Sequence, residues 1–265
     1  MNYRLIALDV DGTLLNDNHE LTPRVRDAVR AASEQGAEIV ICTGRGSTSA
    51  LPVLLELGLQ GTMITHNGAS VVDSETRSVL DDTIIPHEHA LRYVSYLRER
   101  AIHFDMNTAF DLFVEDLKEE AAEMYRDLLA KPIVRAAEEG FPERLVKLSI
   151  YASKEELDAV ERDWRDWRHE LQAIRSGDRF IDVQHAGASK GKALERLAAL
   201  RGIPRSQVLA MGNYYNDTGM LAFAGFGVAM ANSPDEVRAA ANEVTASNNE
   251  DGVAVAIERL VLAAR

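Results

Sequence analysis

The sequence predicts an α/β fold in which a mainly parallel central sheet carries helices on both faces and a separate α+β domain is inserted. Toward both ends of the 265-residue chain, short apolar runs typical of buried strands alternate with amphipathic helical segments. From about Pro86 to Gln184, helices and strands follow one another in a mixed order instead. We therefore predict a core domain formed by residues 1–84 and 186–265 and an inserted domain formed by residues 85–185.

The N-terminal part of the core begins with the apolar run 3–8, a predicted buried strand that stops at Asp9. A helix then opens at Thr22-Pro23, because threonine caps a helix and proline suits its first turn, and it ends at Gly36. The next predicted elements are a strand, a helix, a strand and a hairpin, at residues 39–42, 51–57, 63–65 and 71–80.

The C-terminal part of the core repeats this alternation of helices and strands. Its predicted helices are 192–200, 218–224, 234–241 and 253–262, and its predicted strands are 208–211 and 227–229. The inserted domain is predicted to contain helices at 87–100, 117–129 and 155–167, and strands near 104 and 113 and at 146–151. Two closing strands are predicted after the last of these helices, the second of them at 180–183.

The composition excludes several classes of protein. With a net charge of −13 and no run of Lys or Arg, the chain lacks the basic surface of a general nucleic-acid binder. The only cysteine is Cys42, so an internal disulfide and a cysteine-based zinc site are excluded. No apolar stretch reaches the roughly 18 residues of a membrane span, and Asp9 comes too early for a signal peptide. We expect a cytoplasmic protein without a membrane partner, and no feature predicts its oligomeric state.

Three polar clusters follow predicted strands of the core, at the carboxyl ends where open parallel sheets bind ligands. The clusters are the DVDGT segment 9–13, the TGR segment 43–45 and the GNYYND segment 212–217. Lys190 opens the helix that precedes the strand of the third cluster. Their joint placement, rather than any one cluster, predicts a ligand site.

In the first cluster, Asp9 and Asp11 lie two residues apart, and Gly12 lets the backbone turn behind them. Two carboxylates this close can differ in protonation and in role. One can be a nucleophile that forms an aspartyl-phosphate, and the other can move the proton. A lone motif of this kind is more often a structural turn. A calcium loop is excluded, because Leu14 stands where an EF-hand loop requires glycine.

The other clusters each allow a structural and a functional interpretation. Thr43 and Gly44 can offer a hydroxyl and an N–H to phosphate oxygens, or they can form a capping turn. Lys190 can hold phosphoryl oxygens as a point charge, or it can be a solvated surface lysine. Asn213 and Asp217 can offer oxygen ligands to Mg²⁺, or they can form a helix N-terminus.

Taken together, the clusters resemble the motifs of the haloacid dehalogenase (HAD) superfamily of phosphatases. The chain looks closest to the Cof-like branch, which has a large type IIB cap domain inserted in a Rossmann-like core. Further matching segments are 66–69, 189–194 and 247–254. The resemblance covers the whole core and implies that the inserted α+β domain is the cap.

The resemblance implies a role for each matching residue. Asp9 would be the nucleophile and Asp11 the general acid/base. Thr43, Lys190 and Asn216 would bind the phosphate. Together with Gly44, whose backbone N–H can also face a phosphate oxygen, they are the predicted phosphate-binding residues.

The resemblance also implies a Mg²⁺ cofactor. The predicted ligands are the Asp9 side chain, the Asp11 backbone carbonyl and Asn213, with Asp217 supporting the metal through water. The family usually has aspartate at the position of Asn213. Because an amide oxygen brings no charge, we predict that Mg²⁺ binding survives and is weaker than with aspartate.

The implied function is a Mg²⁺-dependent phosphatase acting on a small phosphorylated metabolite, such as a sugar phosphate or a cofactor-like phosphate. The cap would exclude water and read the leaving group. One alternative is a phosphotransferase or mutase that passes the phosphoryl group to a sugar hydroxyl. Another is a weakly active phosphometabolite-binding protein of the same fold, an alternative motivated by Asn213.

Overall fold

The computed structural model describes residues 3–127, 130–167 and 171–263. The chain forms two compact units, which we call the core unit and the inserted unit. The core unit comprises Met1–Asp81 and Ser189–Arg265, and the inserted unit comprises Asp82–Ala188. No helix within the described residues is both long and apolar enough to cross a bilayer.

Strands and helices are numbered in chain order. The described strands are β1 Leu5–Leu8, β2 Glu38–Cys42, β3 Thr62–Thr65, β4 Ser70–Asp73, β5 Ser78–Asp82, β6 His103–Asn107, β7 Leu112–Val114, β8 Ile133–Val134, β9 Lys147–Tyr151, β10 Leu171–Gly177, β11 Phe180–His185, β12 Val208–Gly212, β13 Phe226–Ala229 and β14 Glu243–Val244. The described α-helices are α1 Pro23–Glu34, α2 Ser47–Glu56, α3 His87–Glu99, α4 Glu119–Asp127, α5 Lys154–Trp164, α6 Lys190–Leu200, α7 Thr218–Phe223, α8 Asp235–Ala240 and α9 Gly252–Ile257.

The core unit is built on an eight-stranded sheet with the order β14-β13-β12-β1-β2-β3-β4-β5. The strands from β14 to β3 are parallel, and β4 pairs antiparallel with β3. The central strand β1 is fully buried, and Leu8 pairs with both Ile41 and Met211. Because parallel strands share a direction, the residues that follow β1, β2 and β12 emerge at the same edge of the sheet.

Helices cover both faces of this sheet, as the α/β fold predicts. Leu5 and Ala7 of β1 belong to one apolar cluster with residues of α6 and α7. Ile6 and Leu8 point the opposite way and are equally buried. Helix α1 begins as the sequence predicts, with Thr22 Oγ1 accepting the N–H of Val25 at 3.3 Å.

The inserted unit is a six-stranded sheet with the order β10-β11-β9-β6-β7-β8, antiparallel except between β7 and β8. Its strands alternate apolar and polar residues, so the two faces differ. The apolar face, with Phe104, Leu148 and Ile181, belongs to one buried cluster with α3 and α5. In that cluster the Tyr93 and Trp164 rings meet edge to face, with centroids 4.5 Å apart.

The opposite face of the inserted sheet is polar. Its central residues lie on β6, β9 and β11, where Ser149 pairs with Asp105 on one side and Asp182 on the other. In the next row, Lys147 pairs with two amide residues. We call this set the polar face: Asp105, Asn107, Lys147, Ser149, Asp182 and Gln184.

The structure departs from the predicted elements at a few places. The short strands β8 and β14 were not predicted, because two-residue strands leave no periodic pattern. Helix α6 begins at Lys190 rather than 192, since Ser189 Oγ accepts the N–H of Lys192 and caps it. The last helix is α-helical only to Ile257 and continues as a π-helical turn, Glu258–Leu262. The predicted end of the helix 117–129 lies outside the described residues.

Candidate active site

Asp9 directly follows β1, and its N–H donates to the carbonyl oxygen of Met211 at 3.0 Å. Lys190, the first residue of α6, places Nζ 2.6 Å from Asp9 Oδ1 and 2.6 Å from Asp217 Oδ1. The lysine is only 1% exposed, so one cation lies buried between two carboxylates. The alternative interpretation of Lys190 as a solvated surface residue is therefore wrong.

The charges of this cluster shift one another's protonation equilibria. Burial and then the neighbouring charge of Asp217 raise the pKa of Asp9 to about 7, although Lys190 and Thr13 oppose the rise. Burial lowers the pKa of Lys190, but the two carboxylates outweigh it, so the net pKa of the lysine is raised. Lys190 is therefore a permanent positive charge at neutral pH.

Both oxygens of the Asp9 side chain are held. Oδ1 accepts from Lys190, and Oδ2 accepts the hydroxyl hydrogen of Thr13 at 2.9 Å. Thr13 ends the DVDGT segment, and no role for it was predicted from the sequence. Its position fixes the orientation of the carboxylate at the strand end, as a nucleophile requires.

Asp11 lies in a different environment from Asp9. Its carboxylate pairs with both Nε and Nη2 of Arg45, at 2.9 and 2.5 Å, in the bidentate geometry that suits a guanidinium. The side chain of Asp11 is 49% exposed, so it reaches solvent, whereas Asp9 is buried. Arg45 was part of the TGR segment but was not predicted as a site residue. The sequence did contain one indication of this role, because an arginine in a polar segment after a strand can pair with a nearby carboxylate.

The loop after β12 is held by Asp217. Its Oδ2 accepts the backbone N–H groups of Asn213 and Tyr214 at 2.9 and 3.0 Å. A Cβ atom on Gly212 would lie 2.6 Å from Cβ of Asp217, so only glycine permits this close approach. Asp217 therefore holds Lys190 with one oxygen and shapes the loop with the other.

The predicted phosphate-binding residues lie in loops that meet at this edge of the sheet. Thr43 is buried, and its Oγ1 accepts the N–H of Arg45 at 3.1 Å. Asn216 Nδ2 donates to Asn67 Oδ1 at 2.9 Å, and a Cβ on Gly44 would lie 3.0 Å from that same oxygen. Asn67 thus connects the TGR segment with the GNYYND segment, a role that was not predicted from the sequence.

The predicted metal ligands also converge. The amide group of Asn213 places an atom 3.0 Å from Asp9 Oδ2, 3.0 Å from the Asp11 carbonyl oxygen and 3.1 Å from Thr13 Oγ1. Octahedral Mg²⁺ holds its oxygens at about 2.1 Å, so neighbouring ligand oxygens lie about 3 Å apart. The spacing and the oxygen chemistry of these residues therefore fit the cation.

This ligand set is not one of clustered acids and histidines. Within the described residues, no group of three or more His, Cys, Asp or Glu side chains is arranged to hold a metal ion. The predicted set instead combines one carboxylate, one backbone carbonyl and one amide. The structure brings all eight predicted site residues to the same edge of the core sheet: Asp9, Asp11, Thr43, Gly44, Lys190, Asn213, Asn216 and Asp217.

Comparisons with known proteins agree with this geometry. A family model described as haloacid dehalogenase-like hydrolase matches residues 6–257. The putative phosphatase YxeH of Bacillus subtilis is 38% identical, with 98% of this chain and 99% of that protein covered. The pyridoxal phosphate phosphatase YbhA of Escherichia coli is 29% identical, with 96% and 97% covered.

Solved structures share the whole architecture. A haloacid dehalogenase-like hydrolase from Bacteroides thetaiotaomicron is similar with a TM-score of 0.88 and 28% identity, covering 97% of this chain and 99% of that one. The HAD subclass IIB sugar phosphatase BT4131 is similar with a TM-score of 0.78 and 25% identity, covering 96% and 98%. The likeness thus extends through both the core unit and the inserted unit.

Proposed function

The chain belongs to the haloacid dehalogenase-like hydrolases and is a phosphatase, and from this premise we propose that it hydrolyses a small phosphate monoester through an aspartyl-phosphate on Asp9. One observation carries the proposal: the two carboxylates lie in opposite environments. Asp9 is buried and held by Lys190 and Thr13, whereas Asp11 is half exposed and paired with Arg45. Such a difference lets two like groups take different roles.

In the first step, a carboxylate oxygen of Asp9 attacks phosphorus while the bond to the leaving oxygen breaks. Protonated Asp11 gives its proton to that oxygen, so the leaving group departs as an alcohol. In this proposal Asp11 receives that proton from solvent, which its 49% exposed side chain reaches.

In the second step, water attacks phosphorus of the aspartyl-phosphate. Asp11, now a carboxylate, takes the proton of that water, and Asp9 is released with inorganic phosphate. Throughout, Lys190, the Thr43 hydroxyl and the Gly44 N–H would hold the phosphoryl oxygens. Donors fixed in advance stabilise the charge that develops there.

Mg²⁺ would be held by Asp9, the Asp11 carbonyl oxygen and Asn213, with Asp217 supporting it through water. The cation would neutralise charge on the phosphoryl oxygens. Lys190 supplies the second positive charge of the site from the chain itself, at 2.6 Å from Asp9.

For the leaving group, we propose a hydroxylated metabolite such as a sugar phosphate or a cofactor-like phosphate, read by the inserted unit as a cap. BT4131 is named a sugar phosphatase and YbhA a pyridoxal phosphate phosphatase, which supports this range. The polar face offers both donors and acceptors. On it, Oε1 of Gln184 is buried with no hydrogen-bond partner among the described residues, so this oxygen keeps its capacity to accept a hydrogen bond.

The test is hydrolysis of an aryl phosphate with Mg²⁺, followed by a panel of phosphorylated metabolites. We expect Asp9→Asn to lower kcat about 10³-fold or more. The matched control Asp27→Asn changes an exposed aspartate on α1 and should leave kcat unchanged. Undiminished turnover by Asp9→Asn would contradict the proposal. Release of a phosphorylated sugar instead of inorganic phosphate would identify a phosphotransferase or mutase.

A further inference from the structure

The amide of Asn213 lies where Asp9, Asp11 and Thr13 converge. One terminal atom of this amide contacts all three residues. The two terminal atoms of an amide, an oxygen and a nitrogen, have nearly the same size. Rotating the amide by 180° exchanges these two atoms without moving any other part of the chain. The site can therefore present either an acceptor or two donor hydrogens to the same three oxygens.

With oxygen inward, the amide adds an acceptor to a group of acceptors. Oδ1 of Asn213 then lies 3.0 Å from both Asp9 Oδ2 and the Asp11 carbonyl oxygen. Thr13 has one hydroxyl hydrogen, so it cannot donate to both Asp9 and Asn213. Facing oxygens at this distance repel one another unless a cation lies between them, so this orientation suits bound Mg²⁺.

With nitrogen inward, the amide becomes a donor to the surrounding acceptors. The nitrogen lies 3.0 Å from Asp9 Oδ2, 3.0 Å from the Asp11 carbonyl oxygen and 3.1 Å from Thr13 Oγ1, and its two hydrogens serve two of these oxygens at a time. The Thr13 hydroxyl is then free to donate to Asp9 at 2.9 Å. Because unpaired buried acceptors are costly, this orientation is the stable one without a cation.

The outer end of the amide lies against Gly12. Gly12 adopts φ +75°, and a Cβ atom on it would clash with the other terminal atom of the Asn213 amide. The amide thus fills the space that a side chain at position 12 would take, with its inner end beside the three oxygens. A half-turn exchanges its two ends within the same space.

We propose that the Asn213 amide is an internal substitute for the metal ion, which donates hydrogen bonds in the metal-free protein and rotates to offer its oxygen when Mg²⁺ binds. The inference rests on the proposed function only in that the site binds Mg²⁺. An aspartate here has no hydrogen to donate, and its added charge beside Asp9 would require a cation. The amide thus keeps the metal-free site intact and competes with the metal.

The test compares thermal unfolding of wild type, Asn213→Asp and Asn213→Ala, each in EDTA and in saturating Mg²⁺. In EDTA we expect wild type to have the highest Tm, the alanine variant a lower one and the aspartate variant the lowest. In Mg²⁺ the aspartate variant should recover to wild type or beyond it. The control Asn18→Asp adds the same charge at an exposed site, and its Tm should stay close to that of wild type in both EDTA and Mg²⁺.

Side-chain NMR reads the rotation directly. The Asn213 amide resonance, identified by its loss in Asn213→Asp, should be protected from solvent exchange in EDTA. It should shift when Mg²⁺ alone is added to wild type. An unchanged resonance at saturating Mg²⁺, or equal Tm values for all three proteins in EDTA, would overturn the inference. Neither readout uses turnover, so wild type that hydrolyses phosphate without these effects would refute the inference and leave the proposed function standing.

Discussion

Two buried clusters in this protein have the same composition, two aspartates and a lysine, and differ in how the lysine is used. In the core unit, Lys190 lies 2.6 Å from each of its carboxylates. In the inserted unit, Lys147 lies 3.3 Å from Asp182. The first lysine is fully buried and bridges both acids, whereas the second is bonded to one.

The second acid of the inserted unit is held by neutral groups instead. Asp105 accepts from Tyr125 at 3.0 Å and from Asn107 at 2.5 Å. Burial raises the pKa of Asp105 to about 6, and Lys147 is the largest influence that lowers it. A buried aspartate in each cluster thus has a raised pKa, about 6 for Asp105 and about 7 for Asp9, and in the core cluster Lys190 stays charged beside it.

We interpret the difference by the kind of ligand that suits each cluster. A site for an anionic phosphate, as we propose for the core unit, needs a fixed positive charge, which Lys190 between its two carboxylates would supply. A surface that reads hydroxyl groups needs donors and acceptors more than net charge. Asp105, Asn107 and Gln184 supply these on the polar face. We interpret the core cluster as the electrostatic part of the proposed phosphate site, and the polar face as a separate surface of hydrogen-bonding groups in the inserted unit.

Removing the core lysine should have the largest effect. Lys190→Met leaves the carboxylates of Asp9 and Asp217 buried side by side, which costs about 3–5 kcal/mol of unfolding free energy. Urea unfolding in EDTA measures it. The control Lys192→Met replaces an exposed lysine on the same helix and should stay within about 0.5 kcal/mol of wild type. Equal unfolding free energies for the two variants would contradict the prediction, because they would show that the buried lysine contributes no more to stability than an exposed one.

The next effect concerns the pH dependence of stability in the inserted unit. Because the pKa of Asp105 is raised from 3.8 to about 6, the folded protein keeps a proton that the unfolded chain has lost between those values. Stability should therefore fall as pH rises through this window, by about 3 kcal/mol in total. Asp105→Asn should remove this contribution. Parallel pH profiles of unfolding free energy for the two proteins would contradict it.

A smaller loss is expected for the lysine of the polar face. Lys147→Met leaves Asp182 without its cation, but both side chains are 11% exposed and reach some water. We expect a loss of about 1–3 kcal/mol, below that of Lys190→Met. The pKa of Asp105 should also rise further, which moves its stability transition to higher pH. A loss as large as that of Lys190→Met would erase the distinction between the clusters.

The smallest effect should come from Arg45. Arg45→Lys keeps the charge but loses the bidentate contact that positions Asp11. We expect kcat to fall about 10-fold with little change in KM, because positioning affects the chemical step. Steady-state kinetics on an aryl phosphate measures this. A change in KM alone would assign Arg45 to substrate binding instead.

The two clusters also differ in how far the sequence predicted them. Asp9, Lys190 and Asp217 lie at the ends of strands or at the start of a helix, in short segments of unusual polar residues. It could be predicted that these three residues lie close together, because the carboxyl ends of parallel strands lie at the same edge of a sheet. The α/β fold and most elements followed from periodicity, and most helix and strand ends lie within three residues of their predicted positions. The exceptions are α2, which begins at Ser47 instead of 51, and α9, which ends at Ile257 instead of 262.

The polar face could not be predicted in this way. Its rows arise only from the register of β6, β9 and β11, which pairs Asp105 and Asp182 with Ser149 across long stretches of chain. Alternating polar residues on a strand normally indicate solvent, not a buried surface. In the core, the roles of Arg45 and Asn67 depended on side-chain geometry that sequence spacing does not contain.

The most direct test of the account is to identify the residue that carries the phosphoryl group. Asp11→Asn should slow hydrolysis of the intermediate, so that mixing it with an aryl phosphate and Mg²⁺ and quenching in acid traps phosphorylated protein. Borohydride reduction followed by peptide mass spectrometry should find homoserine in place of Asp9, and none in the Asp9→Asn protein. A phosphoryl group on another residue, or turnover with no trapped intermediate, would contradict the account.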